Sequence, residues 1–134
     1  MLYLRDEERD AFGAIWFPGK PRGVIVFNDG LDGAERSQAI AEEVSHRLAG
    51  HRPDAAFDGR GLRRWNGEQE NEAKQIAAAI LVSEKAAWQS VADGLSVAEA
   101  ARRYGVTDTW MVSRLAVTGA ADSAQWGGNL RLTA

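Results

Sequence analysis

Two short runs of apolar residues near the start of the chain have the composition of β-strands. They cover 13–17 and 24–28, and the segment between them contains two prolines and two glycines. Apolar runs separated by turn-forming residues predict a β-hairpin with an irregular loop. The second run begins with the continuous apolar sequence VIVF. This strand is therefore expected to be covered on both faces, with helices packed against it.

After Gly33 the apolar residues recur with helical spacing, and the first predicted helix covers 35–49. It ends at Gly50, the residue type most often found in a left-handed conformation just after a helix. The expected inward stripe consists of four apolar residues, Ile40, Ala41, Val44 and Leu48. A segment without periodicity follows at 52–67, a loop long enough to line a site.

Four further helices are predicted after this loop. The second helix covers 69–82, and its inward side carries Ala73, Ile76, Ala77 and Ile80. The later helices begin at Ser83, Ser96 (in a capping box with Glu99) and Thr107, and end before Gly94, at Gly105 and near Val117. A last short strand is expected at 129–132. The pattern predicts an α+β fold in which an N-terminal hairpin or small sheet packs on a mainly helical layer.

The composition is that of one globular domain over residues 1–134. With no cysteine, the chain has neither disulfides nor thiolate zinc ligands, and we expect a cytoplasmic protein. The charged residues near the N-terminus argue against a signal peptide. The longest apolar run, 76–82, is too short to span a membrane. The formal net charge of −3 argues against a domain that binds nucleic acid mainly by electrostatics.

The first helix carries two side chains that could share a metal ion. At about 100° per residue, Glu42 and His46 lie within about 40° of each other on the face opposite Val44 and Leu48. Glu43 lies about 100° away from Glu42, where a general base acting on a metal-bound water would stand. This is the geometry of a zincin helix. On the second helix, Glu72 is expected to point inward, where a carboxylate needs a cation or a hydrogen-bond donor.

Three segments resemble those of one known family. The stretch 35–51, ERSQAIAEEVSHRLAGH, is similar to the zinc-helix segment of ImmA/IrrE metallopeptidases. The stretch 71–82, NEAKQIAAAILV, is similar to that family's second helix, which supplies the third metal ligand. The stretch 96–115, SVAEAARRYGVTDTWMVSRL, resembles the helix-turn-helix-like end of the same domain. With VIVFN at the end of the hairpin, the resemblance covers nearly the whole chain in the same order.

The resemblance implies a zincin-like domain with a metal site. The family's His-Glu-x-x-His motif reads EEVSH at 42–46, so Glu42 replaces the first histidine. By position, the resemblance implies Zn²⁺ held by Glu42, His46 and Glu72, with Glu43 activating water. Another divalent metal, or none, is the alternative. Two carboxylates and one imidazole form a harder, more anionic donor set than the family's, so zinc affinity is expected to fall.

Each of these side chains also has a purely structural interpretation. Glu42 and His46 have the spacing of an ordinary ion-paired or solvated couple on a helix. Glu43 has an arginine four residues further along the same helix, with which it could form an ion pair. Glu72 has arginines within reach in the loop at 52–67. His51 lies just past the predicted end of this helix. Three interpretations are open for it: a fourth metal ligand, a substrate contact or a surface residue.

The segment 96–118 is predicted to be helix-turn-helix-like. The residues that would contact DNA or a partner are Thr107, Thr109, Trp110, Ser113 and Arg114. Against DNA binding, Asp108 lies at the helix N-terminus that would meet phosphate, and few cations accompany Arg114. Completion of the domain core is the structural alternative for this segment.

The resemblance implies that the chain acts on or binds a helix-turn-helix repressor. In the family, the peptidase cleaves such a repressor and so relieves repression in phages, other mobile elements or stress responses. If this chain is active, the mechanism is metal-assisted peptide hydrolysis. The first alternative is a catalytically inactive relative that serves as a protein-binding antirepressor or adaptor. The second is a DNA-binding regulator that uses its helix-turn-helix-like segment.

Overall fold

The computed structural model describes residues 14–17, 22–51 and 66–122. These residues form a β-hairpin, five α-helices and a short 3-10 helix, and they fall into two compact units that divide between Ala77 and Ala78. The described part of the chain is therefore mostly helical, as the sequence predicts. No helix in these ranges is long and apolar enough to cross a bilayer.

Several sequence predictions about the fold are left open. Most of the predicted loop at 52–67 and the predicted strand at 129–132 lie outside the described residues. The single domain over 1–134 stays a prediction, and each compact unit is described below by itself. The zincin-like arrangement and the helix-turn-helix-like arrangement of 96–118 also stay predictions.

The hairpin consists of strands β1 (Ala14–Phe17) and β2 (Val24–Phe27), which pair antiparallel. Ala14 lies opposite Phe27, and Phe17 opposite Val24. Helix α1 (Gly33–Leu48) packs against both strands. The expectation that β2 is covered on both faces is wrong, because Val24 and Phe27 at its two ends are exposed.

A capping box begins α1. The carboxylate of Asp32 accepts from the backbone N–H of Glu35 at 2.8 Å, and the Glu35 carboxylate accepts from the backbone N–H of Asp32 at 3.3 Å. These bonds satisfy donors that a helix start otherwise leaves unpaired, so α1 begins two residues earlier than predicted. The sequence DGAE carries this signal. The predicted ending is confirmed, since Gly50 has a φ of 75°.

The buried face of α1 differs from the predicted stripe. It consists of Gln38, Ala41 and Ser45, whereas Val44 is exposed and Leu48 is 66% exposed. Ser45 can be buried because its hydroxyl donates to the carbonyl of Ala41 at 2.7 Å, one turn earlier on the same helix. The predicted stripe is therefore correct at Ala41, half-buried at Ile40 and wrong at Val44 and Leu48.

Helix α2 (Gly67–Leu81) begins at Asn66, whose side-chain oxygen accepts from the backbone N–H groups of Glu68 and Gln69 at 3.2 and 3.3 Å. Its buried residues are Glu70, Ala73 and Ala77. The two predicted inward alanines are confirmed. Of the predicted inward isoleucines, Ile76 is half-buried and Ile80 is exposed.

The second compact unit contains helices α3 (Glu84–Ala92), α4 (Val97–Tyr104) and α5 (Asp108–Val117), followed by the 3-10 helix at 120–122. The predicted capping residues Ser83, Ser96 and Thr107 each accept a backbone hydrogen bond at the start of a helix. Hydrogen bonds from the Ser96 hydroxyl and backbone N–H hold the pKa of the Glu99 carboxyl below its usual value. Gly105 ends α4 in the left-handed conformation, with a φ of 64°.

The core of this unit consists of apolar residues from all three helices and the segments that flank them. Its buried members are Val82, Ala87, Val91, Ala100, Ala101, Val106, Met111, Leu115 and Ala120. Seven of these nine are alanine or valine, so the helix axes can approach closely where they pack. The larger side chains Met111 and Leu115, both on α5, are completely buried and fill the remaining volume.

An ion pair joins the end of α3 to α4 on the surface of this unit. A guanidinium nitrogen of Arg103 donates to a carboxylate oxygen of Asp93 at 2.6 Å, and the Gln89 side chain donates to the other oxygen at 2.7 Å. The hydrogen bond from Arg103, with a smaller contribution from Gln89, holds the pKa of the Asp93 carboxyl below its usual value.

We expect Arg103→Gln to lower the melting temperature at neutral pH by an amount that shrinks in acid. A carboxyl whose pKa is depressed in the folded state stabilises the fold above its unfolded pKa, and this contribution is lost as the pH falls through the folded pKa. The difference between wild type and variant should therefore decrease below about pH 4, as measured by thermal denaturation at several pH values. Arg102→Gln, which removes the neighbouring exposed charge, is the control. A difference that stays constant with pH would contradict this role of Asp93.

Candidate functional site: a histidine–carboxylate cluster

The chain reversal at Gly50 brings His51 back to the last turn of α1. The backbone N–H of His51 donates to the carbonyl of His46 at 2.9 Å, and that of Gly50 donates to the carbonyl of Arg47 at 3.2 Å. These two bonds around a left-handed residue form the Schellman ending of a helix. Glycine adopts the required conformation without steric cost. The sequence HRLAGH therefore places the two histidines of the chain side by side.

The two imidazole rings are in direct contact. Their Nδ1 atoms lie 2.8 Å apart, and their centroids lie 5.0 Å apart with the ring planes inclined at 60°. The side chains of His46 and His51 are 15% and 10% exposed. A hydrogen bond withdrawn from water in this way is electrostatically stronger than the same bond at the surface.

Two carboxylates of α2 complete the cluster. Nε2 of His51 lies 3.0 Å from Oε2 of Glu72, and Nε2 of His46 lies 3.6 Å from Oε2 of Glu70, which is within ion-pair range. The Glu70 side chain is 11% exposed, whereas that of Glu72 is 61% exposed. We call these four residues the histidine–carboxylate cluster. It connects the end of α1 to the beginning of α2.

The cluster contains two of the three predicted metal ligands, His46 and Glu72, with His51 between them. The expectation that Glu72 points inward is wrong, because the buried carboxylate at this end of α2 is Glu70. The other two predicted site residues, Glu42 and Glu43, lie on α1 before His46 and are half-buried. Their roles as ligand and base stay predictions.

The cluster as arranged does not fit a zinc ion. Across 14–17, 22–51 and 66–122, no group of three or more His, Asp or Glu side chains is placed so that it could hold a metal ion. A zinc ligand needs an imidazole nitrogen whose lone pair is directed at the ion. In the cluster, each ring nitrogen of His46 and His51 faces a protein atom instead. No catalytic step through a metal follows from this geometry.

Sequence reasoning missed Glu70 and left the position of His51 open. Glu70 could have been found from the spacing of Ala73 and Ala77, because residues at i, i+3 and i+7 share one face of a helix. His51 could have been placed by recognising that the residue after the left-handed glycine contacts the last turn of the helix. Both signals are local, but neither identifies the partner side chain.

The residues predicted to contact DNA or a partner have mostly structural roles. Thr107 caps α5, and its hydroxyl accepts from the backbone N–H of Trp110 at 3.4 Å. Trp110 is half-buried against the core of its unit. Nε of Arg114 donates to the carbonyl of Val82 at 2.7 Å. Thr109 and Ser113 are exposed. Contact with DNA by this set stays a prediction.

The comparisons with known proteins agree with the resemblance seen in the sequence. The chain is similar to a peptidase family whose model is described as the IrrE N-terminal-like domain, and the match covers residues 3–115. Because the match extends over most of the chain, the chain belongs to the family of IrrE N-terminal-like domains. No curated protein and no solved structure matches at the significance level used.

We expect Arg114→Ala to lower the free energy of unfolding by about 1.5–3 kcal/mol, the range for a hydrogen bond from a charged group. The variant leaves the Val82 carbonyl without this donor. Denaturant unfolding followed by circular dichroism measures the loss. Arg102→Ala, at an exposed helical position, is the control and should stay within about 0.5 kcal/mol. Equal losses in the two variants would contradict the structural role of Arg114.

Proposed function

We propose that the chain is a non-hydrolytic member of this family that binds a helix-turn-helix repressor. It would thereby control a switch in a phage, another mobile element or a stress response. The observation that carries the proposal is the histidine–carboxylate cluster, in which both ring nitrogens of His46 face protein atoms. The resemblance of 35–51 and 71–82 to ImmA/IrrE peptidases supports the choice of partner. A chain without cysteine suits the reducing cytoplasm, which is the compartment in which it would encounter a repressor.

The chemistry of the predicted donors also favours binding over hydrolysis. Glu42 stands where the family has its first histidine, so the predicted ligands are two carboxylates and one imidazole. Carboxylate ligands bind hard cations such as Mg²⁺ and Ca²⁺ better than they bind zinc. Their negative charge also makes a bound ion a weaker Lewis acid. The replacement therefore reduces both the affinity for zinc and the acidity of a zinc-bound water.

Metal-assisted hydrolysis is the second candidate, and the family match is the finding that favours it. In that candidate Glu42, His46 and Glu72 would hold Zn²⁺ or another divalent ion. The rings of His46 and His51 would first have to exchange their present hydrogen bonds for the ion. Metal binding by the wild-type chain therefore separates the two candidates.

We expect the wild-type chain to bind well below one equivalent of zinc and Glu42→His to bind about one equivalent. The substitution restores the His-Glu-x-x-His spacing. Structural zinc sites of zinc-finger peptides bind the ion with an apparent free energy of about 10–16 kcal/mol. Even a weaker site of this kind exceeds the hydrogen bonds of the cluster, which oppose it by about 0.5–1.5 kcal/mol each. The measurement is inductively coupled plasma mass spectrometry after zinc incubation and dialysis.

Val44→His is the matched control for this experiment. It introduces the same imidazole at an exposed position two residues before His46, about 200° around the helix, where it cannot join His46 on one face. It should therefore remain as metal-poor as wild type. About one equivalent of zinc in wild type, lost in His46→Ala, would overturn the non-hydrolytic proposal.

The partner is tested with helix-turn-helix repressors from the same genome, each mixed with the wild-type chain. We expect at least one repressor to co-elute with the chain in size-exclusion chromatography and to keep its intact mass in mass spectrometry. Repressor fragments that form with zinc and disappear with a chelator would show hydrolysis. Failure of every repressor to co-elute would reject the partner class.

A further inference from the structure

The histidine–carboxylate cluster connects the same two helices that the predicted metal ion would connect. In the predicted site, His46 of α1 and Glu72 of α2 would both hold the ion. In the structure, the ring of His51 contacts both of these residues, with Nδ1 2.8 Å from His46 and Nε2 3.0 Å from Glu72. We propose that His51 replaces the metal ion as the connection between α1 and α2. This role goes beyond repressor binding and does not depend on which partner the chain has.

When both imidazoles are neutral, the chemistry of the three groups fixes the direction of the hydrogen bonds. A carboxylate only accepts, so Nε2 of His51 must carry the hydrogen that is shared with Glu72. In a neutral imidazole the other nitrogen then has a lone pair, so Nδ1 of His51 accepts. The donor to it is consequently Nδ1 of His46. The connection therefore requires different tautomers of the two rings, Nε2–H for His51 and Nδ1–H for His46.

The backbone of His51 is held in place by bonds that do not involve either side-chain contact. The Schellman bonds fix its backbone on the last turn of α1, and its side chain is 10% exposed. An exposed carboxylate such as Glu72 usually gains little from an ion pair, because two long side chains lose conformational freedom. Here one of the two partners is already ordered, so less freedom is lost when the bond forms. The connection can therefore stabilise the two helices without an ion.

The connection is tested by thermal denaturation of His51→Ala, Glu72→Ala and the double variant, with a chelator present. We expect each single variant to lower the melting temperature by about 3–5 °C, with the larger loss for His51→Ala because it removes two bonds. The double variant should lose less than the sum, because both single variants break the same bond. An additive double variant would overturn the proposal.

Glu68→Ala is the matched control, since Glu68 is an exposed carboxylate one turn earlier on the same helix. It should shift the melting temperature by no more than about 1–2 °C. A chelator should leave the melting temperature of wild type unchanged. A fall on chelation would mean that an ion makes the connection, and it would overturn the proposal.

The tautomers give a readout that a loss of packing alone would not change. Long-range ¹H–¹⁵N correlation spectra of the imidazoles distinguish the Nδ1–H form from the Nε2–H form. We expect the Nε2–H form for His51 and the Nδ1–H form for His46 in wild type. In His51→Ala, His46 should move away from the Nδ1–H form because its acceptor is gone. Finding His51 in the Nδ1–H form, or no change at His46, would overturn the proposal.

The two proposals fail in different ways. Zinc bound by wild type with additive shifts would reject both. Additive shifts in a metal-free chain that still binds a repressor intact would reject only the role of His51. Coupled shifts in a metal-free chain that binds no repressor would reject only the partner.

Discussion

The left-handed backbone at Gly50 is the constraint on which the candidate site depends. It turns the chain so that the residue after it returns to the last turn of α1, and in this sequence that residue is a histidine. Any side chain with a β-carbon would meet a steric penalty at this φ. The contact between His46 and His51 is therefore a consequence of backbone geometry, and the carboxylates of α2 meet a pair of rings that is already assembled.

The cluster also provides each of its side chains with a neighbour inside the cluster. It contains two imidazoles and two carboxylates, so each carboxylate has an imidazole nitrogen within ion-pair range. The donor set predicted from the sequence has two carboxylates and only one imidazole, so its two carboxylates would share one imidazole. The difference arises because His51 takes part and because Glu70, which is largely withdrawn from water, lies beside His46.

The parts of the structure that depend on neighbouring residues could be predicted from the sequence. Ser83, Ser96, Thr107 and Gly105 mark helix ends because the bonds that they make lie within a few residues. The buried face of α1 could not be predicted in this way. Ser45 satisfies its own hydroxyl within the helix and can be buried, whereas the exposure of Leu48 depends on which elements pack nearby.

The same distinction explains what sequence reasoning found of the site. The register of EEVSH identified His46, and a helix-face argument identified the correct end of α2. The argument placed Glu72 on the inward face and did not consider Glu70, and two residues correspond to about 200° of rotation around a helix. The family membership of the chain followed from the similarity of whole segments, so an error of two residues did not affect it. The predicted geometry of the four side chains was affected, because it depends on which carboxylate faces the histidines.

The bond from Arg114 to the carbonyl of Val82 has a consequence for how this segment can evolve. Val82 directly follows α2, where a helix leaves carbonyl groups without partners. The Nε of this guanidinium donates to the helix end, so only its two terminal amino groups remain for a phosphate. A descendant of this chain that acquired DNA binding through the same arginine would have to place the phosphate where the bond to Val82 directs those groups. A new cation at an exposed position such as Ser113 would not be restricted in this way.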